Sequence, residues 1–312
     1  MKKITLLMAF VASVVFAQAQ TLLVEDFNYT IGSDIKSQGW PIHSGSGATK
    51  DSILVVEGLT FEGYPGSGIG GAAAVTGRYC DQNKSFTGQT SGTVYASFMM
   101  KSTASNAGAS YFLHFGPSVI ATTYFTRIWI NATGDGIAIG PSTPTSYTSI
   151  ALNTTYVVVM KYDFASKTSS FYLLSALSAT EPTSVSGSAV ETAGPAAATP
   201  TDLGSIALRQ GQTSSVANQN IIVDGIRVAT SWAALFTQSG LDDLSADALQ
   251  AVVSGKDLLV KNAIDGSTVE IYSAVGSKVQ SSVLENGRIN LNDLSKGMYV
   301  VRVGKLTQKI ML

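Results

Sequence analysis

Thr123-Tyr124-Phe125-Thr126-Arg127-Ile128-Trp129-Ile130-Asn131 is the stretch on which the fold class turns. β-Branched and aromatic residues fill it, and Asn131-Ala132-Thr133-Gly134 then closes it as a turn, the pattern of a strand rather than a helix. Period two places Thr126, Ile128 and Ile130 on one face and Phe125, Arg127 and Trp129 on the other. The first, mostly aliphatic, face is expected to meet the core. The second pairs two aromatic rings with a cation.

Working outward, Thr93 to Met100, Ser110 to Phe115, Tyr156 to Phe164 and Ser169 to Leu174 repeat this character between Gly, Pro, Asn and Ser turns. Strand-like sequence returns at Ile206 and Ile221. Between them Glu181 to Pro200, rich in Pro, Ala, Ser and Thr, reads as a long loop inside one domain. So many short strands without helical periodicity predict an all-β chain, its first part a β-sandwich. Of 312 residues 13% are charged and 45% hydrophobic, with a formal net charge of −1. That balance lacks the basic excess of a nucleic-acid binder.

The amino terminus reads as an export signal. Lys2 and Lys3 precede an apolar run from Ile4 to Phe16, and Ala17-Gln18-Ala19 suits signal-peptidase cleavage before Gln20. The run is shorter than the roughly 20 residues a membrane-spanning helix needs, and no later segment resembles a span. Cys80 is the single cysteine, so no disulfide forms within the chain. Charged residues are about twice as dense over 240–312 as over 20–239, which marks a boundary near Ser239-Gly240. The expected order is therefore a signal peptide (1–19), a sandwich domain (20–239) and a small second β domain (240–312).

Residues 20–239 carry Leu23-Val24-Glu25-Asp26-Phe27-Asn28-Tyr29, Gly39-Trp40, Tyr111-Phe112-Leu113-His114-Phe115-Gly116 and the closing Val223 to Trp232. On these residues the domain resembles the concanavalin A-like (LamG-like) jelly-roll modules of exported Bacteroidetes proteins. The resemblance implies that the opening and closing segments pair as strands, which makes Asp224 and Arg227 structural. The tail carries Val269-Glu270-Ile271-Tyr272, Gly276-Ser277-Lys278-Val279, Ile289 to Val303 with Gly297-Met298-Tyr299 inside it, and a terminal Lys309-Ile310-Met311-Leu312. It resembles the type A C-terminal sorting domain of the type IX secretion system, an immunoglobulin-like sandwich. That implies an encounter with the type IX machinery and delivery through the periplasm to the outer surface or medium. Gly297, Tyr299, Lys309 and Ile310 carry the match, Gly297 being expected to allow a tight turn.

Glycoside hydrolysis needs two carboxylates flanking one bond. Glu57-Gly58-Leu59-Thr60-Phe61-Glu62 has the outer glutamates of an E-x-D-x-x-E pattern, but Leu59 stands where the middle Asp belongs. His43, His114 and Cys80 show no metal-ligand spacing. Asn131 to Gly136 has the oxygens of Asn131 and Asp135 to wrap calcium, but a plain turn is the stronger reading. No catalytic residue, metal or cofactor is assigned. What remains is Phe125, Arg127 and Trp129, which suit a polysaccharide or other surface glycan, an aromatic ring facing a pyranose and an Arg reaching hydroxyls. The same rings would also serve as a second core layer, and His114 reads as a core histidine on the same side as Phe112. The expected function is an exported, non-catalytic jelly-roll protein with a carbohydrate-binding or adhesive role, the rival a divergent polysaccharide hydrolase using Glu57 or Glu62.

Overall fold

The computed structural model describes residues 19–312 except 46–51, 79, 193–198, 211–219, 237–248, 255, 262, 274–275, 292–293 and 305. The signal segment 1–18 and the expected boundary at Ser239-Gly240 therefore lie outside the described residues. The chain divides into two compact units, 1–237 and 238–312.

The first unit contains β1 (Thr21–Glu25), β2 (Ile42–Ser44), β3 (Leu54–Glu57), β4 (Gly71–Val75), β5 (Asp81–Gln89), β6 (Thr93–Ser102), β7 (Ser110–Gly116), β8 (Phe125–Ile130), β9 (Gly136–Ile139), β10 (Thr148–Ser149), β11 (Thr155–Asp163), β12 (Thr168–Leu174), β13 (Gly187–Val190), β14 (Leu203–Arg209) and β15 (Ile221–Ala229), then a short α1 (Trp232–Phe236). Every predicted strand is present within two residues of its expected ends. The long loop after Glu181 was too broad a reading, because Gly187 to Val190 adds an edge strand to β12.

All pairings are antiparallel and build two sheets. One runs β13-β12-β11-β6-β15-β4-β3, with β1 also on β15; the other runs β10-β9-β8-β7-β14-β5-β2. The opening strand thus pairs with the closing one, Val24 opposite Arg227, as the resemblance implied. Between the sheets Val94, Ala96, Phe98, Met100, Val158 and Met160 face Phe112, Phe115, Ile128, Ile130, Ile206 and Leu208 in one apolar core. Phe98 meets Phe112 edge-on across it, with ring centres 6.3 Å apart. Each such fully buried side chain contributes roughly 1.5–3 kcal/mol, enough in sum to hold a domain without a disulfide.

The opening motif has a physical reason. Glu25, almost fully buried, accepts from the Phe27 amide (2.8 Å), the Tyr29 hydroxyl (2.7 Å) and Trp40 Nε1 (3.0 Å), with Lys84 Nζ at 3.2 Å. Phe27 stacks on Trp40, the rings 5.6 Å apart. A buried carboxylate is tolerated only when its oxygens are filled in this way. The short motif therefore fastens the chain's start to its first turn.

The second unit has β16 (Gln250–Ser254), β17 (Asp257–Lys261), β18 (Thr268–Ser273), β19 (Lys278–Val283), β20 (Arg288–Asn290), β21 (Met298–Val303) and β22 (Leu306–Met311). They form sheets β16-β17-β20 and β19-β18-β21-β22. Leu258, Val269, Ile271, Ile289, Tyr299, Val301 and Ile310 fill its core. The expected all-β chain, a sandwich followed by a smaller sandwich, is what the chain forms. Gly297 differs from its expected part: it has no positive φ, and its amide and carbonyl instead pair with Leu312, extending the β21–β22 hairpin. The positive-φ turns are at Gly266, Gly276, Asn286, Gly287 and Gly304. Tyr299 donates its hydroxyl to the Ser295 carbonyl at 2.9 Å, and Lys309 pairs through its backbone with Val300.

Candidate functional site

The two outer faces of the sandwich differ in kind. On the eight-stranded sheet Tyr95, Met99, Val157, Val159, Tyr172 and Leu174 point outward, yet are buried beneath Leu59, Tyr64, Trp232 and Leu235. Glu181, from the segment after β12, gathers the Tyr95 hydroxyl (2.7 Å), Lys161 Nζ (2.7 Å) and the Tyr172 hydroxyl, and Trp232 Nε1 donates to the Ser178 carbonyl (2.9 Å). Asp224 accepts from the Leu59 amide at 2.7 Å beneath the same cover, and burial pushes its pKa up to about 7. Arg227 pairs with Asp26 at 2.5 Å. These contacts bind cover to sheet, the structural part expected of Asp224 and Arg227.

The seven-stranded sheet presents rings and guanidiniums instead. Here β8 departs from simple alternation. Thr126 has φ of +52°, and the β7–β8 register slips between Leu113 and Phe115. A β-branched residue in that region is strained. It is held by its amide to Glu191 Oε1 (3.0 Å) and by the Ser169 hydroxyl (2.9 Å). The bulge turns Phe125 into the core, where it is 3% exposed beside Ile128 and Ile130, and leaves Arg127 and Trp129 outside. The three predicted platform residues are therefore not one row. Irregular pairing in β7 likewise parts His114 from Phe112: Phe112 is in the core, and His114 packs with Tyr111 and Tyr124.

Around Arg127 and Trp129 the topology collects residues that alternation could not find. Tyr111, opposite Trp129 in register, meets its indole at 5.1 Å between ring centres. Arg209 lies 4.1 Å from the centre of the Tyr111 ring and Arg127 5.3 Å, cation–π contacts worth about 0.5–1 kcal/mol each where exposed. Arg209 also donates to the Ser110 hydroxyl (2.8 Å) and faces Asp81 at 3.9 Å. Arg127 donates through Nε and Nη2 to one carbonyl, that of Tyr124, at 3.3 Å each. Trp129 Nε1 donates to the Gly140 carbonyl at 2.8 Å, and its ring is only 7% exposed. Tyr111, Tyr124, Arg127 and His43 are half-buried and reach solvent.

The two histidines of the chain, remote in sequence, meet at this face with ring centres 6.0 Å apart. His114 Nδ1 is bonded to the Phe115 carbonyl (2.9 Å), while its Nε2 is buried without a hydrogen-bond partner and the nitrogens of His43 are buried beside Asn83. Burial lowers the pKa of His43 to about 4 and that of His114 to about 3, leaving both rings neutral at pH 7. Among the described residues no group of three or more His, Cys, Asp or Glu is arranged to hold a metal. In the Asn131 to Gly136 turn the Asn131 side-chain oxygen is spent on the amides of Asp135 and Gly136 (both 3.1 Å). Cys80 is buried and Glu57 and Glu62 are exposed.

Residues 253–311 match the family of secretion system C-terminal sorting domains. The tail is thus an address read by the type IX secretion machinery, and the chain is exported through the periplasm to the cell surface or extracellular medium. No helix among the described residues is long and apolar enough to cross a membrane. No curated relative matches the chain. Among solved structures it is similar to a sialidase (TM-score 0.41, 13% identity, 68% of this chain and 18% of that one). It is also similar to Trypanosoma rangeli sialidase (0.37, 11%, 68% and 35%) and to basic winged bean lectin solved with Tn antigen (0.36, 11%, 67% and 98%). The chain spans about a third or less of the length of these sialidases.

Proposed function

We propose that the chain is an exported, non-catalytic surface or extracellular protein in which a concanavalin-like jelly-roll domain, residues 20–239, binds polysaccharide. In this reading residues 1–19 are a cleaved signal peptide and 240–312 the sorting tail. The observation that supports binding is the asymmetry of the sandwich: one outer face is spent on an apolar cover, and the other offers Tyr111, Tyr124, Arg127 and His43 to solvent around Trp129. Rings that are apolar on their faces and ringed by donors suit a pyranose, which has an apolar face and a polar rim. Backbone carbonyls already satisfy Arg127 and Trp129 in part, so the surface is formed before a ligand arrives and little ordering is needed.

The test is retention of the full chain on immobilised polysaccharides. Trp129→Phe keeps an aromatic ring but loses the wider indole and its Nε1 donor to Gly140, and is expected to weaken retention at least threefold with its melting temperature within a few degrees of the parent. Retention unchanged in Trp129→Phe and Tyr124→Ala alike removes this face from the reading.

A further inference from the structure

Resting on that reading, the geometry points to a polysaccharide bearing carboxylates, with Arg127 as the residue that recognises the acid group. A neutral sugar asks for hydrogen-bond partners, not for charge. Yet this face gathers two guanidiniums about one tyrosine ring, Arg127 and Arg209, although residues 20–239 hold more acids than bases.

The two cations are not equivalent. Arg209 is mostly covered and has its own acid in Asp81, 3.9 Å away. Arg127 is half-buried with no carboxylate within 4.0 Å among the described residues, and its Nη1 makes no hydrogen bond there. Glu191, a carboxylate that Arg127 influences, is turned inward to the Thr126 amide and the Ser169 hydroxyl, and burial raises its pKa. The charge of Arg127 is therefore uncompensated on the solvent side.

The rings beside Arg127 bring no negative charge. Tyr124, whose carbonyl fixes the guanidinium, carries its ring beside His114 and His43, 4.7 and 6.2 Å away between centres. Both imidazoles are neutral at pH 7 and add no charge to the face. A planar guanidinium meets a planar carboxylate through two parallel hydrogen bonds, whereas a lysine would act only as a point charge. The inference is thus specific for Arg at 127 and for a carboxylate on the sugar.

The experiment compares retardation of the full chain by polygalacturonate, by the same polymer with its carboxyls methyl-esterified, and by neutral dextran and dextran sulfate. Expected is retardation by polygalacturonate at least tenfold stronger than by its ester, lost in Arg127→Gln and only partly recovered in Arg127→Lys, with unfolding midpoints unchanged. Equal binding of polygalacturonate and ester, unaffected by Arg127→Gln, overturns the acid preference while the polysaccharide reading stands. Equal binding of dextran sulfate and polygalacturonate overturns the carboxylate specificity in favour of a general anion site. Binding to none of the four overturns the inference together with the reading beneath it.

Discussion

The two outer faces of the sandwich are built from sheets of similar size, yet one is a second core and the other an aromatic and basic face partly open to solvent. On the eight-stranded sheet the strand residues pointing away from the main core are themselves apolar, and loops and α1 fold down to bury them. On the seven-stranded sheet the outward positions hold His114 and Trp129, themselves buried, beside Tyr111, Tyr124 and Arg127, which are half-buried and reach water. A sheet with two apolar faces must be covered, while one with a polar outer face can stand against solvent. The division of labour thus follows from what alternates with the core residues on each strand.

The largest effect belongs to the covered face. Trp232→Ala removes a ring packed on Tyr172 and Phe236 and is expected to cost about 3–5 kcal/mol in urea denaturation, with binding by the folded fraction unchanged. Binding that falls in step with stability would mean that the faces are coupled, and the comparison would fail.

The faces should also respond oppositely to pH. Asp224 keeps its proton in the native state up to about pH 7, so its contribution is present in acid and lost as pH rises from about 4 through 7. His43 and His114, with folded pKa values near 4 and 3, contribute stability that is present above about 6.5 and lost as pH falls toward those values. Between pH 4 and 6.5 the two slopes oppose each other. Asp224→Asn should let stability climb more steeply with pH in that window, by up to about 1.4 kcal/mol per pH unit, and His43→Gln should flatten it. An unaltered slope in both variants, measured by denaturation at each pH, would dissolve this contrast.

The smallest effect is expected away from both faces. Glu57→Gln and Glu62→Gln should each shift stability by less than about 0.5 kcal/mol, because both side chains are exposed. No reducing ends should appear when polysaccharide is incubated with the parent or either variant. Their release by the parent, abolished in Glu62→Gln, would make the sandwich a hydrolase.

Much of the fold was legible because strand alternation is local. Val94, Ala96, Phe98 and Met100 all enter the core as their spacing requires, and β11 and β12 behave likewise. Alternation failed where the backbone departs from period two. The bulge at Thr126 sent Phe125 inward, and irregular pairing in β7 divided Phe112 from His114. A positive φ at a threonine has no mark in composition, since it is imposed by Glu191 and Ser169 from another strand and the sheet opposite. Of the three residues expected on one face, Arg127 and Trp129 share the outer face because both follow the bulge, while Phe125 does not. Tyr111, Tyr124 and Arg209 were missed, since only sheet order brings β7, β8 and β14 side by side.

The amino-acid sequence by itself determined that the chain is all-β and that its tail is a sorting domain, because both rest on short-range patterns of apolar residues, turns and motif. Which sheet face lies beneath loops and α1, and that His114 and two arginines meet at Tyr111 with His43 beside His114, came from the tertiary fold. Those facts depend on strand order and on a single bulge, which are set by contacts between residues far apart along the chain.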